Sequence, residues 1–181
     1  MTHRIAFRGF DPDGEGRIYE HGILPHWRQD GCSYFVTFRQ SDSLPIAVVR
    51  EMEASRHRWL GQRGVDLSQT DWKQHFATLP ATVREEYERF NGSMLENHLD
   101  NCHGSCALRD AKNAQVVEAA LNHFHETRVQ MGDFVIMPNH VHAILRPVEG
   151  FELEQILHSI KSFTANKINQ LTNRKGEFWQ R

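Results

Sequence analysis

The fold of this chain can be read outward from Met137-Pro138-Asn139-His140-Val141-His142-Ala143-Ile144-Leu145. Pro138-Asn139 is turn chemistry: proline fixes φ and lacks a donor, and asparagine bonds its own backbone. The residues that follow alternate in character. In a strand, His140 and His142 therefore share one face, and Val141, Ala143 and Leu145 share the other. Arg128 to Met137 reads as the preceding strand, so the two strands and the Pro-Asn turn make a hairpin. Beyond Pro147 and Gly150, Leu153, Ile156, Leu157, Ile160, Ile168 and Leu171 form a stripe at helical spacing. Gly176 is expected to stop that helix, and Phe178-Trp179 to begin another extended piece.

Before the hairpin, Asp110 is placed to cap a helix in which Ala114, Val117, Leu121 and Phe124 share a face. Ser33-Tyr34-Phe35-Val36-Thr37-Phe38-Arg39 is β-branched and aromatic, hence a strand. Leu44-Pro45 opens a helix through Val48 and Met52 towards Trp59, ended by Gly61 to Gly64. Residues 65–101 are polar and broken by Pro80, with a short helix expected over Val83–Phe90. With this excursion set aside, the order is βαββαβ, a ferredoxin-like α+β arrangement. Its antiparallel sheet would carry helices on one face and leave the other open for a site. The expected organisation is an irregular arm over 1–32, then one domain over 33–181 with a helical insertion at about 42–108.

The 181 residues are 39% hydrophobic and 24% charged, which is globular composition rather than disorder. No apolar run approaches the length of a membrane span, and the N-terminus lacks the apolar core of a secretory signal. Three cysteines are too few for a disulfide framework, so a cytoplasmic location is expected. A net charge of −2 carries no global basic excess, so nucleic-acid binding needs a local patch. Residues 158–181 supply one: Lys161, Lys167, Arg174, Lys175 and Arg181 stand against the single acid Glu177. Arg39, at the end of the first strand, is a further candidate for DNA contact. A solvated helix end explains the same charges equally well.

Histidine is over-represented, at 12 residues. Two imidazoles side by side on an open sheet face are poor packing material and good ligands for one divalent ion, given a third ligand from elsewhere. As a bare pattern, a solvated surface pair is the commoner explanation. His98, Cys102, His103 and Cys106 offer a zinc alternative, but Cys-x3-Cys lacks a second well-spaced pair. His123 and His125, two apart on a helix, do not face one another and are expected at the surface. Trp59, Trp72 and Trp179 are candidates for base stacking, with core packing the simpler role for each.

Met137-Pro138-Asn139-His140-Val141-His142 resembles the His-hydrophobic-His (HUH) signature of single-strand DNA transposases with one tyrosine nucleophile, and among them the REP-associated tyrosine transposases. Other pieces agree in order: Tyr34 to Arg39 followed by Asp42-Ser43-Leu44-Pro45; Leu99-Asp100 with Gly104-x-Cys106-x-Leu108; Lys161-Ser162-Phe163-Thr164-Ala165 with Asn169; and Phe178-Trp179-Gln180-Arg181. The resemblance covers roughly Tyr34 to Arg181, weakly over 62–98. It implies that His140 and His142 hold Mg²⁺ or Mn²⁺ at a scissile phosphate. It also implies that a tyrosine attacks to leave a 5′-phosphotyrosyl link, and that the partner is single-stranded or hairpin DNA bound by a monomer or homodimer.

The family places its nucleophilic tyrosine, and a third polar ligand, on a helix just after the Trp-Gln segment. Here the tyrosines are Tyr19, Tyr34 and Tyr87, all upstream. The resemblance therefore leads us to expect a C-terminally truncated relative. Tyr34, on the strand beside the histidines, is the one candidate to substitute. Two alternatives accompany the transposase reading: a hairpin-DNA-binding remnant without a nucleophile, and a metal-binding protein of another class.

Overall fold

The computed structural model describes residues 5–11, 13, 14, 16–20 and 25–180. In chain order its elements are β1 (Arg17–Glu20), β2 (Pro25–Arg28), β3 (Tyr34–Arg39), α1 (Ile46–Gly61), α2 (Trp72–Thr78), α3 (Ala81–Asp100), a 3-10 turn (Ala107–Arg109), α4 (Ala111–His123), β4 (Val129–Ile136), β5 (His140–Pro147) and α5 (Leu153–Thr172). They belong to two compact units, residues 1–42 with 105–181 and residues 43–104. Strands and helices are segregated along the chain in the manner of an α+β protein.

The first unit is built on a three-stranded antiparallel sheet in the order β3-β5-β4. Its central strand is β5, the strand of the two histidines. Pairing with β3 runs from Tyr34 opposite Leu145 to Arg39 opposite His140. Because side chains alternate across a strand, this register sorts both strands at once. Tyr34, Val36 and Phe38 pack with Val141, Ala143 and Leu145 in the core, under α4 residues Val117, Ala120 and Leu121 and α5 residues Leu153, Ile156, Ile160 and Ile168. Phe35, Thr37 and Arg39 are left on the other face with His140, His142 and Ile144.

Asp110 caps α4 by accepting the Lys112 N–H at 2.8 Å. β4 is irregular between Met131 and Phe134. At Gly132 an added Cβ would lie 3.1 Å from Ile5 Cγ1 and 3.2 Å from both Ile144 Cγ2 and the Ile144 carbonyl oxygen. Glycine is thus what lets the N-terminal segment approach the sheet here. The extended piece at Phe178-Trp179 is reduced to a single antiparallel bridge, Trp179 to Gln40. It is reinforced by Ser41 N–H donating to the Phe178 carbonyl at 2.9 Å and Gln180 N–H to the Arg39 carbonyl at 2.9 Å. The Trp179 indole, buried against Phe38, donates to Thr164 Oγ1 at 2.8 Å.

Three sequence expectations need correction. The region read as an irregular arm contains a short antiparallel hairpin, β1 with β2, in which Arg17 pairs with Arg28. Gly176 is not the stop of α5. The helix ends at Asn173, which takes the left-handed conformation with φ of 49°, a role asparagine fills almost as glycine does. The third correction concerns the second unit, where the short helix expected over Val83–Phe90 is the middle of the 20-residue α3.

In that unit α1 and α3 bury Met52 and Leu99 in one small cluster with Leu44. A second, aromatic group holds Tyr87 between Trp59 and Phe76, with ring centroids 5.2 Å away in each case. Arg63 lies over the Trp59 ring at 3.4 Å, a cation–π contact. So few apolar positions, spread among charged ones, give a weak helical signal, and Gly92 interrupts it further.

Candidate functional site

The two histidines sit at the start of β5, directly after the turn, on the sheet face that the helices do not cover. His140 is buried and His142 half-buried. Their Nε2 atoms are 2.9 Å apart, and the rings meet edge to face with centroids at 4.6 Å. Both remaining ring nitrogens are held. His140 Nδ1 lies 2.8 Å from Asn139 Oδ1, and His142 Nδ1 lies 2.7 Å from Thr37 Oγ1.

One proton arrangement satisfies all three contacts. Asn139 Oδ1 only accepts, so His140 Nδ1 donates and His140 Nε2 keeps a lone pair. His142 then donates from Nε2 to that lone pair, and its Nδ1 accepts the Thr37 hydroxyl. Presenting both Nε2 lone pairs to a cation requires the His142 proton to move to Nδ1. Thr37 can serve either state, because its hydroxyl both donates and accepts. Asn139 fixes one tautomer and Thr37 permits two.

Around this centre, Phe35 stacks on the His142 ring at 5.3 Å with an interplanar angle of 16°. Val135 is the β4 residue opposite His142, and Arg39 the β3 residue opposite His140. Burial lowers the Arg39 pKa. Asn139, Thr37 and Phe35 have no functional role in the sequence reading: Asn139 reads there as turn chemistry, and Thr37 and Phe35 as strand residues. Adjacency to His140 was a signal for Asn139. For Thr37 and Phe35 only the β3–β5 register supplies one.

The other sequence candidates are distributed unevenly. Lys161, on α5, donates from Nζ to the Gln180 carbonyl at 2.5 Å. Its pKa is lowered, first by burial and then by the nearby Arg39 charge, with Glu177 opposing. An open groove of about 660 Å³ runs along this side, lined among others by Thr37, Lys161, Asn166, Trp179 and Gln180. Arg174 donates to Ser105 Oγ at 3.0 Å and lies 3.8 Å from the Asp42 carboxylate. Lys175 lines the same small polar recess, and Lys167 is exposed on α5. Arg181 lies outside the described residues.

Among the described residues no three His, Cys, Asp or Glu side chains come together as a metal-holding group. The zinc-type cluster at His98, Cys102, His103 and Cys106 is therefore not formed, and His140 with His142 contributes two ligands of that kind. His125 is not a free surface residue, since its Nδ1 accepts the Met131 N–H at 3.1 Å. Trp59 and Trp179 are packing residues. Tyr34 points away from the histidines: its ring packs in the core, and its hydroxyl donates to the Gln29 carbonyl at 2.9 Å while accepting the Gln29 N–H at 2.7 Å. Tyr87 is buried in the second unit, and Tyr19 stands on β1.

An α+β unit with paired histidines on the open face of its sheet is compatible with several chemistries, and comparison with protein families selects one class, the DNA transposases. Within that class the chain belongs to the IS200-like transposases, of the HUH type; their family model matches residues 85–181, just over half of its length. The match includes both histidines, their hairpin and α5. No curated protein and no solved structure matches the chain. Among the described residues no helix is long and apolar enough to cross a membrane.

Proposed function

We propose that this chain binds hairpin-bearing single-stranded DNA and holds one of its phosphates at His140 and His142 for metal-dependent cleavage and strand transfer. The observation that carries the reading is the 2.9 Å approach of the two Nε2 atoms on the open sheet face. At that separation the two imidazole nitrogens would be close enough to hold one small divalent cation between them. His140 and His142 would be the residues that hold Mg²⁺ or Mn²⁺, which would supply positive charge at a bound phosphate.

The protein's own groups do the remaining work. Asn139 and Thr37 orient the imidazoles, and Arg39, opposite His140 in the strand register, carries a positive charge on the same face. Lys161, with Lys167, Arg174 and Lys175 further along, is read as contacting the DNA backbone, where each neutralised phosphate adds to the salt sensitivity of binding. The order β3-β5-β4, with the Trp179 bridge beyond β3, supports a ferredoxin-like reading of the sheet. We read residues 43–104 as a helical insertion in that domain.

Tyr34 does not serve as nucleophile in this reading, because its hydroxyl is engaged on the wrong side of the sheet. That placement favours a second possibility for this chain by itself, hairpin recognition without cutting.

A labelled single-stranded hairpin library incubated with Mn²⁺ and this chain tests both. Salt-sensitive binding on a native gel is expected. A protein-linked band on a denaturing gel establishes cleavage through a residue of this chain, and its absence leaves recognition alone. Where cleavage occurs, His140→Ala or His142→Ala is expected to abolish it. Unchanged cleavage in both variants removes the metal assignment, and failure to bind any hairpin at low salt removes the DNA reading.

A further inference from the structure

The geometry points to Phe35 as a stacking platform for one unpaired nucleobase beside the phosphate held at the histidines. This inference rests on the DNA reading above.

Phe35 is anomalous within its strand. The opposite-facing set Tyr34, Val36 and Phe38 packs in the core, whereas Phe35, a large apolar residue on the open face with Thr37, is 60% exposed. Its ring lies nearly parallel to the His142 imidazole, 5.3 Å away. Val135, 48% exposed, stands on the other side of His142, so the histidine emerges between two apolar surfaces.

Among the described residues the large apolar side chains exposed on this face are Phe35 and Val135, whereas stable docking of a protein partner takes about 1,000 Å² or more of buried surface. Ile144 lies opposite Phe35 on the same face, and beyond it the border turns polar, through Thr37, His142, His140 and Arg39. An occupant with a flat apolar face at one end and a negative charge at the other fits this border, and a nucleotide is such a molecule. Phe35 is one same-face step, about 6.8 Å, from Thr37, which is directly opposite His142. A nucleotide's base and phosphate are separated by a comparable distance. A phosphate near the Nε2 atoms and Arg39 therefore leaves its base within reach of the Phe35 ring. Because every base has a π-face, the platform would position the strand without selecting its sequence.

The test uses the full chain and a hairpin oligodeoxynucleotide with unpaired flanks, in which 2-aminopurine replaces one flank nucleotide at a time. Fluorescence and affinity are read for the wild type, Phe35→Leu and Phe35→Trp. Leucine keeps the apolar bulk and removes the ring; tryptophan keeps a ring. Expected is quenching confined to one flank position, lost in Phe35→Leu together with about 10-fold in affinity, the scale of one lost base stack, and retained in Phe35→Trp.

Wild-type affinity and quenching at every position in Phe35→Leu would overturn the platform while leaving the DNA reading intact. A wild-type chain that binds no hairpin at low salt overturns both.

Discussion

His140 and His142 form the middle of a continuous hydrogen-bonded row that begins at Asn139 Oδ1 and ends at Thr37 Oγ1, with the two Nε2 atoms 2.9 Å apart at its centre. The outer partners come from different places. Asn139 is the last residue of the turn, buried, with its backbone carbonyl accepting the Gln40 N–H at 2.8 Å. Thr37 belongs to the neighbouring strand. One histidine is oriented by its own turn and the other by the sheet register, and each dependence can be tested separately.

Replacing Asn139 by alanine removes the acceptor for His140 Nδ1. Outer partners of this kind are typically worth about 10–100-fold in metal affinity, so Asn139→Ala should weaken Mn²⁺ binding on that scale. Asn139→Asp retains an acceptor oxygen and should recover most of the loss. Titration calorimetry reads the affinity, and ¹⁵N NMR of the imidazoles should show the His140 tautomer becoming mixed in the alanine variant only.

Thr37→Val keeps the β-branched shape and loses the hydroxyl. The imidazole of His142 then lacks the partner that accepts its proton when Nε2 must be free, and Mn²⁺ affinity should fall by about 10-fold, while Thr37→Ser should stay near the wild type. Equal affinity in Thr37→Val and Thr37→Ser would show that the contact does not orient His142.

A methyl group at Gly132 meets Ile5 Cγ1 at 3.1 Å and the Ile144 carbonyl oxygen at 3.2 Å. The isoleucine tip can shift, but the strand carbonyl cannot. Gly132→Ala should therefore destabilise the protein by about 1–3 kcal/mol, the usual cost of overpacking. Adding Ile5→Ala should restore part of that loss, as measured by urea unfolding.

Tyr87 is 1% exposed and its hydroxyl has no hydrogen-bond partner among the described residues, while burial raises its pKa above the usual 10.0. Tyr87→Phe removes a buried orphan group, so the variant should be as stable as the wild type at pH 7, or more stable by up to about 1–3 kcal/mol. The pH dependence follows from the sign of the shift. Below pH 10 the phenol is neutral in both folded and unfolded chains and contributes no slope. Above pH 10 the unfolded chain ionises first, so stability falls as pH rises. Urea unfolding at pH 7 and pH 11 should show a smaller alkaline loss in Tyr87→Phe than in the wild type.

Much of the first unit was legible because its signals are local. Alternation around His140 and His142, the Pro138-Asn139 turn, the Asp110 cap and the Leu153–Ile168 stripe each depend on residues a few positions apart, and each gave the right element. The second unit was not legible in the same way. α3 buries Tyr87 and Leu99 among charged residues and carries Gly92 in its middle, so its helical state depends on packing against other helices more than on propensity. The stop at Asn173 was missed because Gly176, the better left-handed residue, lies three positions further on.

That His140 and His142 share a face follows from local pattern, because strand periodicity leaves no other choice once the turn is placed. The sequence also carries the six-residue block through which the family resemblance is recognised. What stands beside the histidines depends instead on strand pairing across the sheet. Thr37, Phe35 and Arg39 lie about a hundred residues away in the chain, and they reach the site through the β3–β5 register, in which a slip of one residue would send all three to the opposite face. The same register turned Tyr34 into the core and away from the chemistry. Which side chains meet across a sheet is set by the pairing of distant strands, and no local pattern records it.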